Sequence, residues 1–304
     1  MRRDGTWERL LVGVVAVASV LGVAFVGGCR SARERPSGPA PSGSELAESY
    51  NRRVDGLSRV WARATVRVRG PDGQGGRRVD QGEGYLFYES PRRVGLLVGK
   101  YIDRMYFHLG SNDELFWWID ALDDEERVAL VGSHEGATRA DAERFGVPVH
   151  PLDLRELIGV TGIEQQGSAP GWERLGDRWV VEVVRPARWG RRRVMIDPAT
   201  LHPVRVELWT EQGELAASSD LSRYRLVQRH MPGEPGYIAE SIVIELPGIE
   251  TRVEIDLADP VSDPSKPRDA AFDIRTLLRS YGIAADRVRV LGDDGISAAT
   301  SPGS

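Results

Sequence analysis

Residues 61–69 read WARATVRVR, and this stretch decides the fold. Ala62, Ala64, Val66 and Val68 fall on one side of an extended chain, and Arg63, Thr65, Arg67 and Arg69 on the other. A period of two with one apolar side marks a half-buried antiparallel strand. Pro71-Asp72-Gly73 then turns the chain. Outward from there, strands are predicted near 81–89, 93–100, 104–110, 114–120 and 127–131, each broken by turn residues, which is the pattern of an antiparallel meander. Leu115-Phe116-Trp117-Trp118-Ile119 is apolar on both faces. Such a strand is covered on both sides or lines a cavity.

The pattern then changes. Residues 137–145 read as a helix, and 152–158, after Pro151, as a second short one carrying Leu154, Leu157 and Ile158. Strands resume near 178–184, 191–196, 204–210, 217–227, 238–246 and 251–257. The stripes Val204, Val206, Leu208 and Ile242, Ile244, Leu246 mark apolar faces, which either protein or a ligand covers. A Pro-rich link, 259–267, leads to a last helix at 273–281. The tail beyond Ala284 reads as loose, apart from a short strand at 287–291. Upstream, Glu45–Leu57 reads as a helix capped by Ser44, with Leu46, Tyr50, Val54 and Leu57 at helical spacing. No strand–helix–strand alternation occurs, which argues against a parallel sheet. The fold class expected is mainly β (α+β): a strongly curved antiparallel sheet, or unclosed barrel, of about eleven strands with short helices as a lid.

The N-terminus adds a second signal. Arg2, Arg3 and Arg9 precede an uncharged run from Leu10 to Gly28. Leu10–Val26 would span roughly 25 Å as a helix, near the minimum for a bilayer. This is the layout of a secretory signal. It ends in Val26-Gly27-Gly28-Cys29, which resembles a bacterial lipobox, and Cys29 is the single cysteine of the chain. The resemblance implies cleavage before Cys29 and a diacylglyceryl group on it; two acyl chains give a stable anchor where one does not. Residues 30–44, RSARERPSGPAPSGS, form a flexible tether. The expected organisation is a lipoprotein signal peptide at 1–28, lipidated Cys29 and tether at 29–44, an open barrel at 45–258, and link, helix and tail at 259–304. Arg30 follows the cysteine where inner-membrane retention would favour aspartate, which points to the outer membrane, facing the periplasm.

The element order resembles the LolA/LolB superfamily of lipoprotein carriers and receptors. Residues 84–88 (GYLFY) with Ser90-Pro91-Arg92-Arg93 are similar to that family's strand–proline–strand hairpin. Residues 152–159 (LDLRELIG) resemble its lid helix, and 197–206 (DPATLHPVRV), with Gly213 and Tyr224, its turn-and-strand run. The likeness covers roughly residues 45–258. It implies an unclosed barrel under a helical lid, with a hydrophobic ligand cavity drawn from Leu115, Trp117, Ile119, Val204, Val206, Leu208, Ile242, Ile244, Leu154 and Leu157. The family receptor's apolar loop would fall at Lys100–Asp103, with Tyr101 and Ile102 as a membrane-contact tip. The implied partners are the membrane, through the diacylglyceryl-cysteine, a lipid or the acyl chain of a lipoprotein, and a periplasmic carrier protein. The implied role is binding of acyl chains or other hydrophobic ligands in lipoprotein localisation or lipid transport. The alternative is a structural or sensory envelope lipoprotein with a packed core and a protein partner.

Composition narrows the classes further. The 304 residues carry 41% hydrophobic and 28% charged side chains and a formal charge of −5. That balance argues against a nucleic-acid partner. One cysteine excludes an internal disulfide. His108, His134, His150, His202 and His230 have no metal-ligand spacing, and no nucleophile elbow, phosphate loop or dinucleotide fingerprint occurs. No enzyme activity, catalytic residue, cofactor or metal is therefore expected. Asp123-Asp124-Glu125-Glu126 reads as a solvated turn, with a calcium site as the alternative. Arg191-Arg192-Arg193 beside Trp189 reads as an exposed strand face, with an anionic headgroup site as the alternative.

Overall fold

A computed structural model of the chain describes residues 40, 42–72, 75–101, 104–121, 127–135, 150–164, 169–176, 178–187, 190–229, 233, 235–291 and 297–298. The signal segment, Cys29, most of the tether, Ile102, the acidic run 123–126, the helix expected at 137–145, Trp189 and His230 lie outside these residues. Helix α1 (Gly43–Asp55) precedes a meander of β1 (Arg59–Pro71), β2 (Arg77–Glu89), β3 (Arg93–Tyr101), β4 (Arg104–Ser111), β5 (Leu115–Asp120) and β6 (Val128–Ser133). Helix α2 (Pro151–Leu157) divides it from a second meander. That comprises β7 (Gly171–Leu175), β8 (Arg178–Ala187), β9 (Gly190–Ile196), β10 (Pro203–Thr210), β11 (Leu215–Leu226), β12 (Gln228–Arg229), β13 (Tyr237–Leu246) and β14 (Thr251–Ser262). Helix α3 (Ile274–Ser280), β15 (Val288–Leu291) and β16 (Ser297–Ala298) complete the order.

All sixteen strands join one curved, unclosed sheet in the order 16-15-6-5-4-3-2-1-14-13-11-10-9-8-7, with β12 attached to β14 off that path. The strand count exceeds the expected eleven. The strands with no counterpart in the sequence reading are short: β7, β12 and β16 carry two to five residues each, too few to establish a period of two. Pairing is antiparallel except for β15 on β6 and β12 on β14. The seam between the two meanders is β1 against β14, with Val66 opposite Ile255 and Val68 opposite Val253. The two cleanest alternations in the sequence are thus each other's partners, and their apolar sides face the same way.

Curvature has a visible device in the first meander. Gly95, Gly110 and Gly132 lie directly across from Phe87, Trp117 and Phe116. Each ring lies over the bare backbone of the next strand, the cross-strand pairing by which an aromatic covers a glycine. A Cβ on Gly95 would stand 2.0 Å from a Phe87 ring carbon. Gly95→Ala is expected to cost about 1–3 kcal/mol by overpacking. A thermal melt unchanged from wild type would refute this account of the bend.

Helix α1 begins two residues earlier than expected. Its N-cap is Ser42, not Ser44: Glu45 N donates to Ser42 Oγ at 3.3 Å, and the Ser42 hydroxyl donates to the Glu45 carboxylate at 2.7 Å. Ser42 with Glu45 three residues on is the spacing of a capping box, which places the cap before Gly43. Leu46, Ala47 and Tyr50 then turn into the sheet.

Candidate hydrophobic ligand site

The main core lies on the inner face of the sheet, where α1 and α2 sit. It gathers Ala62, Ala64 and Val66 of β1, Leu86 of β2, Leu96 of β3, Leu109 of β4, Val194 of β9, Ile242 and Ile244 of β13, and Val253 and Ile255 of β14. Six of the expected cavity residues meet there: Val206, Leu208, Ile242, Ile244, Leu154 and Leu157. Their exposures run from 0 to 6%, so the protein's own atoms cover them. The cover is the two helices. Small residues make the room for them: Ala62 and Ala64 on β1, and Ala217 and Ser219 on β11, are all buried.

The other expected cavity residues face the opposite way. Trp117 and Ile119, with Leu115 at the margin, pack on the outer face against Ala129, Val131, Ile274, Leu277, Ile283 and Val288. Helix α3 and β15, the helix and short strand expected at 273–281 and 287–291, supply that cover and close a second, smaller core. The strand is covered on both sides, and its phase was not readable from a run of five apolar residues. The residues of β5 that turn inward are Phe116 and Trp118. Val204 also lies outside, with Val180 and Met195. The register between β10 and β9 slips between Pro203 and Arg205, and this bulge puts Val204 on the face opposite Val206. Tyr101 is the last residue of β3.

Part of the inner wall is not fully covered. Phe107 and Trp118 stack on it with ring centroids 5.0 Å apart and planes 7° apart, half-buried at the border of the main core. They come from β4 and β5, beside the strands that α2 crosses: α2 touches β3, β4 and β10.

Helix α2 is held by polar groups at its C-terminal end. Arg192 pairs with Glu156 and donates to Thr161 Oγ1 and the Gly162 carbonyl, both at 2.7 Å. Arg53 donates to the Gly159 carbonyl at 2.7 Å and the Tyr237 carbonyl at 3.1 Å. Ser219 Oγ donates to the Leu157 carbonyl at 2.6 Å, and Asn51 exchanges two bonds with Ile163. These satisfy the backbone groups that a helix end leaves open. The sequence singles out Arg192 only as part of an exposed or headgroup-binding run, and Asn51, Arg53 and Ser219 not at all. A buried serine inside the strand 215–221 is a signal in hindsight, since that stripe is otherwise apolar.

The expected headgroup run is otherwise engaged. Arg193 binds Glu182 at 2.6 Å and reaches Glu173 and Glu207, while Arg191 lies over the Trp209 ring at 5.1 Å. With Arg192 buried against Glu156, all three guanidinium groups have partners within the protein.

Two histidines, one buried and one half-buried, set a pH limit. Burial pushes the His108 imidazole down to about 3. It lies among Phe87, Trp117 and Tyr281 under α3, with Nδ1 3.2 Å from the Tyr281 hydroxyl. His202, stacked on Tyr224, is pushed down to about 4 by burial first and by Arg53 second. An unfolded chain takes up these protons below about pH 6.5 while the folded chain does not. The unfolded state then binds more protons, so stability is full above about pH 6.5 and falls as the medium is acidified toward the folded values. His108 alone should cost about 2 kcal/mol by about pH 5. Urea melts of wild type and His108→Leu across this range measure it; equal slopes would refute the assignment.

Among the described residues, no helix is long and apolar enough to cross a membrane, and no group of three His, Cys, Asp or Glu converges as metal ligands. The arrangement is an open antiparallel sheet whose inner face is apolar and covered by helices. No family model matches the chain, and no curated protein matches it. In structure it is similar to a DUF1329 family protein from Desulfovibrio piger, with 15% identical residues and a TM-score of 0.51 over 77% of this chain and 97% of that one. It also aligns with a putative outer membrane lipoprotein-sorting protein domain from Vibrio parahaemolyticus (11% identity, TM-score 0.48, 76% of this chain and 97% of that one). A LolA superfamily protein from Nitrosomonas europaea aligns at 12% identity and TM-score 0.48, over 78% of this chain and all of that one. At 15% identity, the likeness to the DUF1329 protein is one of fold.

Proposed function

We propose that this is an envelope lipoprotein, anchored through Cys29, that binds acyl chains or similar apolar ligands on the inner face of its sheet without transforming them. The observation that carries the reading is the Phe107–Trp118 stack, an aromatic surface left half-covered at the border of the main core. An acyl chain laid along it gains about 0.8 kcal/mol for each methylene taken from water. Moving Leu154 and Leu157 aside with α2 would bare more of the apolar wall. A role in lipoprotein localisation or lipid transport at the outer membrane fits this chemistry, with a periplasmic carrier protein as donor or acceptor.

Native mass spectrometry of protein released gently from membranes should reveal a lipid-sized adduct. The methyl ester of parinaric acid, a fluorescent acyl probe, should quench Trp emission on binding, and Phe107→Ala/Trp118→Ala should weaken its affinity about tenfold or more. Labelled palmitate should enter wild type and not Cys29→Ala. The closeness of the packing around Val206, Ile242 and Leu157 favours a second reading, a structural envelope lipoprotein whose outside meets a protein partner. No adduct, together with no probe binding, would decide for it.

A further inference from the structure

Arg155 projects from α2 and has no acid of its own. The carboxylate beside it, Glu156, is taken by Arg192 and by the Thr161 hydroxyl at 2.8 Å. The Arg155 Nε is sealed from solvent without a partner, and among the described residues its guanidinium makes no hydrogen bond or ion pair. Burial lowers its pKa most; Arg92 and Arg192 push the same way, against the Tyr88 phenol and Glu156. Arg155 thus feels two further guanidinium groups, Arg92 at the turn from β2 into β3 and Arg192 on β9, while the one carboxylate beside it is already paired. A half-buried guanidinium without an acceptor is a site short of an anion.

We propose that Arg155, with Arg92 at its rim, is the headgroup subsite for an anionic amphiphile: an acyl chain ending in a carboxylate or phosphate oxyanion. The proposal rests on the acyl-binding reading above. The guanidinium fork matches two oxygens of such a head. The register gives the tail its course. Tyr88 lies opposite Val94, and Phe107 opposite Val98 on the same inner side of β3. Four residues at about 3.3 Å each separate these levels, so the aromatic stack lies ~13 Å along the wall from the arginines. That is a tail's length and not a headgroup's. The same placement explains why Arg155 stands on the covering helix: an incoming anion would bind helix and strand turn together and hold the cover over the tail.

The test compares parinaric acid with its methyl ester at neutral pH, read by energy transfer from tryptophan. Wild type should bind the acid at least about tenfold more tightly than the ester, the scale of a charge-assisted hydrogen bond. Arg155→Gln should bring the acid down to the ester's affinity and leave the ester unchanged, which also shows that the variant is folded. Arg155→Lys should keep part of the preference. Equal binding of acid and ester by wild type, or a preference that survives Arg155→Gln, overturns the headgroup subsite while leaving the acyl-binding reading standing. Failure of wild type to bind either probe overturns that reading and the subsite with it. Inorganic phosphate should not displace the acid at millimolar levels; displacement there would make the site one for a free anion and overturn the amphiphile.

Discussion

Ending the chain at Ser262 is expected to give a protein that does not reach a soluble folded state. The segment beyond carries Ile274, Leu277, Ile283 and Val288, which cover Trp117, Ile119, Ala129 and Val131 on the outer face of β5 and β6. It also supplies the carbonyl of Phe272 to Asn112 and that of Tyr281 to Arg127, and β15 caps the edge of β6. Burying a large apolar side chain is worth about 1.5–3 kcal/mol, so the lost cover amounts to something on the order of 10 kcal/mol, as an upper figure. Whole domains are stable by only about 5–15 kcal/mol. Trp117 and Ile119 would also stand on a bare face beside an unpaired edge, an invitation to aggregation. Within the full chain, Trp117→Ala should cost about 3–5 kcal/mol. A truncated chain with the wild-type melting temperature and no dye binding to exposed apolar surface would disprove this role of the C-terminal segment.

Arg192→Met should have the next largest effect, about 2–4 kcal/mol. The substitution leaves Glu156 without its cation and removes two further donors from the loop after α2. Arg192 is 6% exposed and Glu156 23%, so the stranded carboxylate keeps some water, which holds the cost below that of a fully buried pair. Local opening should exceed global loss: amide exchange over 154–163 should accelerate more than exchange in β1 or β14. The double variant Arg192→Met/Glu156→Gln should regain part of the stability, because much of the penalty is the unpaired charge rather than the lost bond. A double variant as unstable as the sum of the two single ones would sink this explanation of how α2 is held.

Much of the sheet was legible because alternation is a local property. Residues 61–69 and 251–257 each declare one buried side, and the tertiary structure only had to pair them. The inward set Val206, Leu208, Ile242 and Ile244 followed from the same rule. Leu115, Trp117 and Ile119 were misplaced because a strand apolar on both faces has no phase to read. Val204 was misplaced by a bulge, which leaves no mark in hydrophobicity. The polar holders Asn51, Arg53, Arg192 and Ser219 reach partners 30 to 184 residues away, separations at which no sequence window operates.

The sequence by itself determined an all but wholly antiparallel sheet, short helices between its halves, and a lipobox-like run at Cys29 ahead of a Pro-, Gly- and Ser-rich stretch. Periodicity and composition suffice for these, since each is written within about ten neighbouring residues. The tertiary structure alone decided what covers each apolar face. α1 and α2 lie on the inner wall, and α3 with β15 lies on the outer. An apolar stripe is buried for the same free energy whichever surface it meets, so hydrophobicity fixes that a face is covered and only the path of the chain fixes by what.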